Sequence, residues 1–146
     1  MEGLDAARID QLIPHSGTMC LLAEITEWDD ETIHARAESH RAPDNPLRHA
    51  GRLAAINAVE YAAQAMAVHG ALRAGDTVGR PGYLAAVRSL QLHADRLDDL
   101  GDDLYVACQR IMGDDNGIMY TFSVMANGDV CAEGRAMVLF ADQEEV

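Results

Sequence analysis

The 146-residue chain is 49% apolar and 24% charged, which suits one globular domain spanning 1–146 and argues against wholesale disorder. Its net charge of -13 argues against nucleic acid as a partner. No apolar run nears the roughly 20 residues of a membrane helix, and Met1-Glu-Gly-Leu-Asp5 lacks the basic and apolar stretches of a secretory signal.

Residues 4–13 carry apolar side chains at Leu4, Ala7, Ile9, Leu12 and Ile13, which predicts a short amphipathic helix stopped by Pro14. Cys20 to Trp28 reads as a strand, Asp29-Asp30 as a turn and Thr32 to Ser39 as a partner strand. Residues 41–50 hold two prolines and read as a loop. Leu53 to Leu72 is Ala-rich and predicts one long helix, buried on most faces because it is apolar nearly all round. Gly75 is its stop signal. Four strands are then expected: Tyr83–Leu97, Leu104–Met112, Ile118–Ala126 and Val130–Phe140. Asn127-Gly128 is a strong hairpin signal between the last two. The acidic tail, 141–146, is expected to fray.

The list is two strands, one long helix and four strands, an α+β pattern in which an antiparallel sheet wraps one helix. A helix of small residues must be covered, so a dimer is expected. Cys20, Cys108 and Cys131 are odd in number and widely spaced, which predicts reduced thiols and a cytoplasmic protein. The sequence holds no lysine, which excludes Schiff-base chemistry and a Walker-type phosphate loop. No His/Cys set has metal-ligand spacing, so neither a metal nor a cofactor is expected. Between residues 36 and 96 eight arginines outnumber five carboxylates, a local basic region that could receive a phosphate or an acidic carrier protein.

Glu60 draws attention first, because a carboxylate within an apolar helix is costly without a task or a partner. Asn57 and Gln64 lie within one turn of it, forming a polar stripe. A structural Glu bound to loop backbone is the competing explanation. His49 sits in the loop before the helix. His69 lies nine residues past Glu60, two and a half turns, and faces away from it. His34 and His40 are expected at the surface.

Four stretches, in this order, resemble the FabZ/FabA-type 3-hydroxyacyl-[acyl carrier protein] dehydratases, which have the hotdog fold. They are Leu12-Ile-Pro-His15 with the apolar run after it, Val59-Glu-Tyr-Ala-Ala-Gln64, Leu100-Gly-Asp-Asp-Leu104 and Asn127-Gly-Asp-Val-Cys-Ala-Glu-Gly134. The divergent ApeP-like branch, several members of which pair with a second hotdog subunit, is the most similar. The resemblance implies dehydration of a 3-hydroxyacyl thioester on carrier protein or CoA. Glu60 would act as general acid, and a histidine across the dimer interface as base. Backbone amides near Ala55 and Ile56 would hold the thioester oxygen, with Asn57, Gln64 and His15 shaping the substrate pocket. His49 is the candidate base. Its loop, Asn45-Pro-Leu-Arg-His-Ala-Gly51, departs from the family's His-Phe-Pro-Gly and brings the histidine closer to Glu60 along the chain. Two other readings stay open: a hotdog thioesterase in which Glu60 activates water, and a non-catalytic partner in a heterodimer. The partnership itself is expected as a homodimer, a higher homo-oligomer or a heterodimer with another hotdog protein.

Overall fold

In the computed structural model residues 3–12, 19–75, 82–114 and 116–140 are described. A two-residue strand β1 (Leu4–Asp5) leads into helix α1 (Ala6–Leu12), then β2 (Glu24–Trp28) and β3 (Thr32–Ala37). A 3-10 turn (Ala55–Asn57) opens helix α2 (Ala58–Arg73). Strands β4 (Gly82–Leu92), β5 (Leu104–Gly113), β6 (Gly117–Ala126) and β7 (Asp129–Phe140) complete the list. They form one antiparallel sheet in the order β1-β2-β3-β5-β6-β7-β4.

Alternation makes one face of that sheet the core. In β6, Ile118, Tyr120, Phe122, Val124 and Ala126 are buried while the residues between them are partly open. Ile33, Ala35 and Ala37 of β3 and Leu104, Val106 and Cys108 of β5 continue the same buried surface. Helix α2 lies against it through Ala58, Tyr61, Ala62, Ala65 and Val68, mostly small side chains that let helix and sheet approach closely. Gly75, in the left-handed region at φ 88°, ends the helix with its amide on the Leu72 carbonyl 3.1 Å away. Asn127 and Gly128, at φ 55° and 81°, make the tight turn that joins β6 to β7.

Three sequence expectations change. β1 is too short to show any periodicity. The expected strand from Cys20 begins only at Glu24, because Gln64 ties down the backbone of Met19 and Leu21. The expected strand to Leu97 ends at Leu92, after which the chain bends to bracket the start of α2. Residues 141–146 fall outside the described residues.

Candidate active site

Helix α2 divides its polar side chains between two environments. Toward the sheet they are bonded. The Tyr61 hydroxyl lies 2.9 Å from Ser39 Oγ and accepts from Asn45 Nδ2 at 3.0 Å. His69 Nε2 donates to the Asp29 carbonyl at 2.8 Å, so Nδ1 accepts from the Tyr120 hydroxyl at 2.7 Å. Burial pushes the His69 pKa below its ordinary value. Gln64, 1% exposed, accepts the Leu21 amide at 2.9 Å and donates to the Met19 carbonyl at 2.7 Å. The expected stripe therefore splits, with Gln64 turned into the fold and both ends of its amide committed to backbone.

The other side of α2 is open. Ile56 is 53% exposed, Ala67 is exposed, and Glu60 and Ala63 are half-buried between them at helical spacing. Among the described residues the Glu60 carboxylate makes no hydrogen bond and no ion pair. The competing explanation, a structural Glu bound to loop backbone, thus finds no bond to support it. Glu60 stands in the first turn of α2.

The amides before α2 are largely committed. Ala55 N–H donates to the Asp95 carbonyl at 3.1 Å, Asn57 N–H to the Ala54 carbonyl at 3.0 Å, and Ala58 N–H to the carbonyls of Ala55 and Ile56. The Asn57 side chain also returns to the Ala54 carbonyl, at 3.1 Å. Ala55 is 2% exposed, so its expected role in holding a thioester oxygen is displaced by the loop at Asp95.

His49 begins a tight turn. Its amide meets the Arg52 carbonyl at 2.8 Å and its carbonyl the Arg52 amide at 3.0 Å. Ala50 and Gly51 between them are both left-handed, at φ 53° and 76°. Gly51 bears that conformation freely, whereas Ala50 is strained by it. The His49 side chain is exposed, and no bond joins it to Glu60 among the described residues.

Residues 95–98 hold this turn and the helix start from the other side. Asp98, with a side chain only 6% exposed, accepts the Leu53 amide at 2.8 Å and binds Arg96 through both oxygens. These donors hold its carboxyl well below the usual carboxylate range. Leu97 N–H donates to the Leu53 carbonyl at 2.7 Å, and Arg52 pairs with Asp95 at 3.2 Å. Arg48 binds the Gly51 carbonyl at 2.9 Å and lies 3.9 Å from Asp98. The sequence places Arg48 in the 41–50 loop and leaves Asp98 between two expected strands. The bond that ties Asp98 to the start of the helix, to the Leu53 amide, spans 45 residues of chain, which no local pattern shows.

Two more histidines complete the comparison with expectation. His40 is fully buried rather than at the surface, because its Nε2 donates to the Asp102 carbonyl at 2.8 Å. Burial lowers its pKa too. His15 lies outside the described residues. An open cleft of about 750 Å³ is lined by Cys20, Leu22, Arg36, Glu38, Ser39 and Arg41 among others, and neither Glu60 nor His49 reaches it. Arg36 and Arg41 there are committed to carboxylates: Arg36 to Glu24, Glu38 and Asp103, and Arg41 to Asp103. The three cysteines are free thiols, and among the described residues no three His, Cys, Asp or Glu side chains gather to hold a metal.

A family model for ApeP-like proteins, described as ApeP dehydratase, matches residues 7–146. The chain belongs to the ApeP-like dehydratase family. A chain of the dehydratase heterocomplex ApeI:P from Xenorhabdus doucetiae superposes with a TM-score of 0.79 at 20% identity, covering 92% of this chain and 91% of that one. AziG of S. sahachiroi superposes at 0.64 with 13% identity, covering 88% and 97%. Zebra fish thioesterase superfamily member 2 superposes at 0.63 with 10% identity, covering 93% and 95%. A search of curated proteins finds no match. At such identities these structures speak to the fold: this ApeP-like chain is a hotdog protein, its antiparallel sheet wrapped around α2. In the described residues no helix is long and apolar enough to cross a membrane.

Proposed function

We propose that this ApeP-like protein supplies the acid side of a centre that dehydrates 3-hydroxyacyl thioesters carried on acyl carrier protein or coenzyme A. The observation that carries the reading is Glu60, a half-buried carboxylate left without a partner on the open face of α2. A carboxylate left free there is available to a substrate. The family match supports the reaction class.

In this reading a base removes the proton alpha to the thioester carbonyl. The Ile56 amide, outside the bonds made by Ala55, Asn57 and Ala58, steadies the negative charge that develops on the thioester oxygen. Glu60 gives its proton to the beta-hydroxyl, which leaves as water as the double bond forms. Ile56 and Asn57 flank the acyl chain. His49, on its exposed turn, serves as base opposite the acid of a second subunit, and that subunit's base faces Glu60 of this chain, since among the described residues no bond brings Glu60 and His49 together. That subunit is a second copy or a distinct hotdog protein, and the heterocomplex in which a structural neighbour was found favours the latter.

The departure of the His49 loop from the dehydratase pattern favours a second reading, a non-catalytic subunit that completes a catalytic partner. The test is direct. The purified chain, alone and with a co-encoded hotdog protein, is given 3-hydroxyacyl and 2-enoyl carrier-protein thioesters, and hydration and thiol release are followed together. Interconversion by the chain alone or by the mixture supports the centre. Thiol release alone makes it a thioesterase. Interconversion that survives loss of both Glu60 and His49 in the mixture leaves only the partner role.

A further inference from the structure

Strand β4 is an edge strand, bonded to β7 on one side and with no strand on the other among the described residues. It is 11 residues long, and such an edge is a template for pairing with another chain. Its outer face carries a feature that decides which chain. Arg88 lies directly across from Arg135 of β7, and Arg135 from Thr121 of β6. Thr121 alternates with the buried Tyr120 and Phe122, and Val87 pairs with the buried Ala136, so both arginines stand on the face away from α2. Both are exposed, and among the described residues neither has an ion-pair partner. Arg36, Arg41, Arg48, Arg52, Arg73 and Arg96 each have a carboxylate within ion-pair distance. Arg8 and Arg110 have none among the described residues either, but Arg8 lies on α1 and Arg110 faces Tyr120, so the distinctive feature of Arg88 and Arg135 is that they face each other. Like charges directly opposite in a sheet destabilise it, so an unpaired Arg–Arg contact in a chain of net charge -13 calls for an acidic neighbour.

We infer that the Arg88–Arg135 row makes the β4 edge selective, disfavouring a second copy of this chain and favouring a different chain whose edge strand presents carboxylates. Arg88 sits next to Val87, the midpoint of β4. Two β4 strands paired antiparallel about a two-fold axis would bring their Arg88 residues opposite or diagonal. That is a separation of about 5–8 Å, within the Debye length at physiological salt. With Arg135 one strand inward on each side, four guanidiniums would line up across the join. A partner with Asp or Glu at the facing positions turns the repulsion into attraction, a case in which charge pattern sets partner choice. Register breaks between Leu84 and Ala86 and between Arg88 and Gln91, the second with Ser89 left-handed at φ 55°, leave Ala86, Val87 and Arg88 as the regular stretch between them. The inference rests on β4 being the edge through which the proposed two-subunit centre forms.

The test needs only this protein. Dimer dissociation constants are measured by sedimentation for the wild type, for Arg88→Glu/Arg135→Glu, and for their equimolar mixture. Net charge alone would place the mixture between the two homotypic samples, because the variant is the more acidic. Selectivity at the edge predicts that the mixture associates at least about tenfold more tightly than either component at low salt. The gap should narrow at about 0.5 M salt, where charges are screened. Equal constants in all three samples overturn the charge reading while leaving edge pairing intact. No dimer in any sample overturns edge pairing with it. The dehydration assay reads separately, so a failure there is not mistaken for a failure here.

Discussion

The two faces of α2 are built from the same Ala-rich sequence and treat polar groups in opposite ways. On the sheet side Tyr61, Gln64 and His69 each bond two partners. On the open side Glu60 bonds none of the described residues. A buried polar group without a partner costs stability, so the sheet-side residues are explained by what they hold together. Glu60 has no such explanation among the described residues, and this difference, rather than its position in the sequence, is what the proposed acid role rests on.

Breaking the bonded side should cost most. Gln64→Leu leaves the Leu21 amide and Met19 carbonyl without their partner, and urea unfolding should show a loss of about 2–4 kcal/mol. A loss under about 0.5 kcal/mol, the range of neutral surface changes, would mean the amide is not a structural clamp. Asp98→Ala should follow closely, at about 2–3 kcal/mol, because the Leu53 amide and the Arg96 and Arg48 guanidiniums lose a shared acceptor. It should also lower activity by loosening the His49 turn, which a fluorescence-monitored melt and the thioester assay would separate.

Acid should find the same side of the helix. His40 and His69 both have pKa values held below the ordinary imidazole value by burial, so the folded protein keeps them neutral while the unfolded chain takes up protons. Their contribution is complete above about pH 6.5 and is lost as pH falls through the folded values, at up to about 1.4 kcal/mol per pH unit for each. A urea midpoint that stays level from about pH 7.5 to 5 would contradict the buried neutral pair. The smallest expected effect is on the open side. Glu60→Gln should change stability by less than about 0.5 kcal/mol, since no bond among the described residues is lost.

Much of this was readable in the sequence, for physical reasons. Strict alternation with buried Ile118, Tyr120, Phe122 and Val124 made β6 visible, and Asn127-Gly128 fixed its hairpin. The Ala-rich run announced α2 and placed Glu60 on it. What stayed hidden was set by long-range bonds. Gln64 belonged to the polar stripe by spacing, yet its amide goes to a segment some 45 residues earlier. His40 looked like a surface residue until the Asp102 carbonyl, over 60 residues on, drew it inside. The end of β4 at Leu92 follows from residues 95–97 bonding Leu53 and Ala55, which no local pattern could reveal. The arginine row was equally invisible, because it exists only in the register of β4 against β7.

The measurement that bears most directly on the free carboxylate is the hydration rate of a 2-enoyl carrier-protein thioester by wild type and Glu60→Gln, each assembled with the same partner and checked for equal melting midpoints. The rate should fall by a factor of about 10²–10⁴ with the midpoint unchanged. An unchanged rate, or a fall matched by lost stability, would return Glu60 to the structural residues on the other face of α2.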